Sequence, residues 1–142
     1  LEYFGNIYPY LTEEEVKNSL LRQIEDNDLN FLKPAFFEMW ASRFWIKKGF
    51  DGSTFIQDFA HPSICSFFHD YLYRVYGGGY KADFIFYKIQ RLLKDPNARK
   101  NFVGVRVFGS FFRLRHFLKG RRKEISYNFI ELFIYLKKLK NK

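Results

Sequence analysis

A mostly α-helical fold, with a short β strand or hairpin before the motif helix and an antiparallel helical hairpin at its centre, is what the sequence predicts. Three observations predict it: apolar residues recur every three or four positions over long stretches, helix-starting and helix-stopping residues bracket those stretches, and Gly77-Gly78-Gly79 separates two of them. Thr12 followed by Glu13-Glu14-Glu15 is a capping-box start, and Val16, Leu20 and Ile24 then mark an amphipathic helix over 12–26, ended by Asp26-Asn27-Asp28. Pro34 to Ser42 fits either a short helix or a strand. Arg43-Phe44-Trp45-Ile46 reads as a strand from its aromatic and β-branched content, and residues 49–53 as a turn. Pro62 suits the first turn of a helix running to Tyr76, and the three glycines stop it. A partner helix follows from Tyr80 to Leu93, with Phe84, Ile85, Ile89 and Leu92 inward, until Asp95-Pro96. Two more helices are expected, at 98–119 and 126–139, the latter with Phe129, Leu132, Phe133 and Leu136 as its apolar stripe.

At 142 residues, 47% of them hydrophobic and 19 of them Phe, the chain is long enough for one domain with a core of large rings. Its single cysteine, Cys65, excludes an internal disulfide and reads as a small buried hydrophobe. No zinc-type Cys/His spacing is present, no apolar run approaches the ~20 residues of a spanning helix, and no signal peptide is expected, because Asn6 and Pro9 interrupt the stretch from Tyr3 to Tyr10. The formal charge of +9 is uneven: residues 97–142 carry thirteen Lys/Arg against two Glu, whereas residues 1–30 have a net charge of −5. The domain therefore divides into an acidic N-terminal segment (1–30), a motif-bearing core (43–112) and basic, aromatic C-terminal helices (97–142).

The chemistry-bearing segment is His69-Asp70-Tyr71-Leu72-Tyr73-Arg74. His69 and Tyr73 are one turn apart on one face, and Asp83 lies on the next helix. An imidazole facing a carboxylate can take a proton from water, because the carboxylate sets the tautomer and stabilises the imidazolium. Asp70 points about 100° away from His69 and is the candidate ligand for a hard cation, with Asp51 and Asp58 as further oxygen donors. The competing reading of the motif is a hydrogen-bonded node without chemistry, with Asp83 as a solvated acid in the first turn of its helix. Treating the two helices as straight rods, His69 lies ~12 Å and Asp83 ~6 Å from the glycine turn, which would set His69 level with Tyr87.

The motif resembles that of an uncharacterised family of small phage and prophage proteins. The matching residues are Lys48-Gly49-Phe50, Pro62, His69 through Arg74, Ala82-Asp83 with Phe86-Tyr87, and Val105-Arg106-Val107-Phe108-Gly109, so the likeness covers roughly residues 43–112. A more distant resemblance is to the phospholipases A2, which carry His-Asp-x-x-Tyr on one helix and an Asp on the next. It implies a Ca²⁺-dependent lipid-ester hydrolase at the host envelope, or a vestigial form of one, with His69 as general base, Asp83 as its orienting acid, Tyr73 as a supporting donor and Asp70 as a Ca²⁺ ligand. The calcium loop of those enzymes has only residues 49–53 as a counterpart here, and their disulfide staples have none. The phage resemblance also implies a virion, host-cytoplasmic or envelope-surface location, and a non-catalytic virion component that docks neighbouring subunits is the alternative. Arg113, Arg115, Arg121, Arg122 and Lys123, interleaved with aromatics, are candidates for contact with anionic membrane, phosphate or nucleic acid. No established nucleic-acid motif accompanies them.

Overall fold

The structure, a computed structural model, describes residues 11–44, 63–118 and 124–139. It is mostly helical: α1 (Glu13–Asp26), a 3₁₀ turn (Asn30–Leu32), α2 (Lys33–Ser42), α3 (Ile64–Tyr76), α4 (Tyr80–Leu92), α5 (Ala98–Leu118) and α6 (Tyr127–Lys138). There is no strand among the described residues. The ambiguous stretch from Pro34 to Ser42 is helix α2, with Pro34 in its first turn, where a missing N–H costs nothing. Arg43, where the strand was expected to begin, instead ends α2 in the left-handed region (φ 49°), and Trp45 and Ile46 lie outside the described residues.

The local signals explain where the helices start and stop. The Thr12 hydroxyl accepts from the Glu15 N–H while the Glu15 carboxylate accepts from the Thr12 N–H, closing the capping box of α1. Ser63 caps α3, and the Gln23 side chain of α1 accepts from the Ile64 N–H, so α1 holds the start of the motif helix. Gly77, Gly78 and Gly79 have φ of 85°, 73° and 118°, a run of left-handed residues that side chains resist. Gly77 and Gly78 donate back to the carbonyls of Leu72 and Tyr73 and complete the end of α3.

α4 is the hub, packing against α3, α5 and α6, while α2 lies against α3 and α6 and α1 against α3. The expected stripe of α1 is buried in full: Val16, Leu20 and Ile24. On α4, Ile85 and Ile89 are buried as expected, Phe84 and Leu92 are only partly covered, and Phe86, not assigned inward from the sequence, is fully buried. On α6, Phe129, Leu132 and Leu136 are buried and Phe133 packs at the edge. The core is aromatic. Phe36, Phe67, Phe68, Phe86 and Phe129 are all inaccessible, and edge-to-face or tilted pairs such as Phe68–Phe129 and Phe44–Tyr71 join one element to another.

Candidate functional site

The first turn of α4 places Asp83 against α3 and α5, with its N–H donating to the Gly79 carbonyl and its side chain wholly buried. A buried carboxylate is stable only when its oxygens are bonded and its charge is opposed. Here both conditions are met. His69 Nε2 lies 3.0 Å from Asp83 Oδ1, the Tyr73 hydroxyl donates to the same oxygen at 2.6 Å, and Arg106 Nη1 donates to Oδ2 at 2.8 Å. The His69 ring is itself clamped, tilted against Tyr73 at 4.4 Å and Phe86 at 4.5 Å between centroids.

With Asp83 accepting at Nε2, that nitrogen carries the hydrogen and the lone pair resides on Nδ1, so Nδ1 is the basic position of the ring. The His69 side chain is 14% exposed, against 0% for Asp83. The carboxylate is thus sealed while the His69 side chain is partly exposed. A cavity of about 250 Å³ opens beside the glycine turn, lined by residues including Leu72, Tyr76, Tyr80 and Lys81, but His69, Tyr73 and Asp83 do not line it.

The rod estimate that set His69 level with Tyr87 is corrected by the contact itself: His69 Nε2 meets Asp83 Oδ1, so α3 and α4 do not pair as straight rods in register about the glycine turn. The solvated reading of Asp83 is corrected too: it is a first-turn acid, as expected, but α5 covers it. Arg106 was not assigned a role from sequence. In the sequence it is a base between Val105 and Val107, 23 residues beyond its partner, with no local pattern that points to Asp83.

Asp70 stands apart from this cluster. Arg74, one turn later, donates from Nε to Asp70 Oδ1 at 2.8 Å, and the Asp70 side chain is 10% exposed. Among the described residues no three His, Cys, Asp or Glu side chains gather as metal ligands. Asp51 and Asp58, like His61, Arg121, Arg122 and Lys123, lie outside the described residues. Arg113 and Arg115 fall on α5. Cys65 is buried, as expected, with its Sγ 3.0 Å from the Ser63 hydroxyl.

A second carboxylate went unnoticed in the sequence. Glu38 of α2 accepts from the Tyr71 and Tyr76 hydroxyls of α3 and from Ser126 and Asn128 at the start of α6. Burial, reinforced by the neighbouring Tyr76 and Glu38, pushes the Tyr71 phenol well above its ordinary value. Glu38 is a joint between three helices. No family model, curated protein or solved structure matches the chain, so the reading of its site rests on its own residues.

Proposed function

We propose that this chain is a phage-associated protein whose α3–α4 pair is a phospholipase A2-like site, hydrolysing lipid esters at the host envelope. The observation that carries the reading is the hydrogen-bonded His69–Asp83 pair, backed by Tyr73, with a partly exposed His69 side chain. His69 Nδ1 takes a proton from water as the water oxygen adds to the ester carbonyl carbon. Asp83 holds the ring in the required tautomer and offsets the imidazolium charge, and Tyr73 holds Asp83. Collapse of the tetrahedral adduct breaks the bond to the alkoxide, which recovers the proton from Nδ1, leaving a carboxylic acid and an alcohol.

A second reading is favoured by one observation, the Arg106–Asp83 ion pair. A guanidinium on the second carboxylate oxygen opposes the buried charge and completes a closed set of partners, as a structural ion pair requires. The same four residues then serve as a latch holding α3, α4 and α5 together in a non-catalytic virion component.

Fatty-acid release from anionic phospholipid vesicles, with and without Ca²⁺, separates the two. In the hydrolase reading the wild type turns over and His69→Ala loses ~10²–10⁴-fold in rate while its far-UV circular dichroism is unchanged. A folded wild type that releases no fatty acid in either condition, or a His69→Ala variant as active as wild type, overturns it in favour of the latch.

A further inference from the structure

One row of α5 is apolar and yet faces water. Val103 and Val107, one turn apart, are each 55% exposed, whereas Val105 between them is buried. Arg99 and Lys100, in the preceding turn, are exposed as well. In the sequence, residues 97–123 contain nine Lys/Arg and no Asp or Glu.

We propose that α5 docks on an anionic lipid surface, its exposed valines entering the headgroup boundary and its basic residues meeting lipid phosphate. The charge argues for an anionic partner, since an acid-free stretch of this length repels a basic one. The valines argue for lipid over nucleic acid. A phosphodiester backbone offers nothing to a row of methyl groups, whereas a membrane interface takes apolar and basic side chains together. No helix among the described residues is long and apolar enough to cross a membrane, and lying in the plane of the interface requires no such helix. α5 also carries Arg106, the residue on Asp83, so the docked helix is the one that closes over the His69 cluster.

Co-sedimentation of the full chain with phosphatidylcholine vesicles, with or without phosphatidylglycerol, tests this without requiring turnover, so its outcome is distinct from that of the hydrolase assay. The expected result is binding to the anionic vesicles at least ~10-fold tighter than to the neutral ones, weakening as salt rises. Val103→Asp with Val107→Asp is expected to weaken binding by ~10-fold or more at an unchanged melting temperature, because both positions are exposed. Should that variant fail to fold, Arg99→Glu with Lys100→Glu is expected to weaken binding to the anionic vesicles by ~10-fold or more, and full binding by this charge variant overturns the proposal. Full binding by a folded valine variant overturns the proposal. So does the absence of vesicle binding, the absence of a preference for the anionic vesicles, or tighter binding to a DNA oligonucleotide than to those vesicles.

Discussion

Asp83 is a carboxylate that the fold takes wholly out of water, and His69, Tyr73 and Arg106 meet it from two helices. Truncating such a group strands the others. Removing one member of a buried ion pair typically costs about 3–5 kcal/mol, because the remaining charge keeps its desolvation penalty without its attraction. Arg106 is 34% exposed and can turn to solvent, which softens that figure. Asp83→Ala is therefore expected to destabilise the protein by about 3 kcal/mol, measured as a lower urea midpoint at unchanged slope. A loss under about 0.5 kcal/mol, the range of surface substitutions, would show that the carboxylate does not hold α3, α4 and α5 together.

At the scale of the element, the glycine turn aligns the two motif helices. A Cβ at Gly78 would sit 2.5 Å from the Tyr73 ring, at a φ of +73° that alanine resists. Relief would require the ring to move, and that ring carries the hydroxyl on Asp83. Gly78→Ala is expected to cost about 1–3 kcal/mol and, in the hydrolase reading, to reduce turnover with it. Thermal melts and vesicle assays on the same samples check both, and a Gly78→Ala protein as stable as wild type would contradict the close approach. The glycines were legible as a break from composition alone, but their contact with Tyr73 was not, because it depends on the chain folding back onto α3.

For the molecule as a whole, Glu38 and Tyr71 tie α2, α3 and α6 together and introduce a pH dependence. The Tyr71 phenol is held above its ordinary value of 10.0, chiefly by burial. Folded chains thus keep a proton that unfolded chains release, so this contribution is fully present below pH 10 and is lost progressively as pH rises above it. Stability measured by urea unfolding is expected to fall as pH rises above about 10, with a shallower slope in Tyr71→Phe. An identical slope in both proteins would place the alkaline sensitivity elsewhere, among the other tyrosines and the lysines.

By itself the sequence determined the helical class, the capping box at Thr12, the buried stripes of α1 and α6, the glycine break and the identity of the motif residues. These are local properties, set by 3.6-residue periodicity and by the backbone preferences of Thr, Pro and Gly. Tertiary structure decided which groups meet. Arg106 on Asp83, Gln23 on the α3 N-terminus and Glu38 beneath two tyrosines are contacts between residues 23 to 41 positions apart, and no spacing rule reaches that far. The strand expected at 43–46 failed at its first residue for the same reason. Propensity favours an extended Arg43-Phe44, but α2 ends there in a left-handed turn with Phe44 packed on Phe67 and Tyr71, and tertiary packing outweighs a preference of less than about 1 kcal/mol.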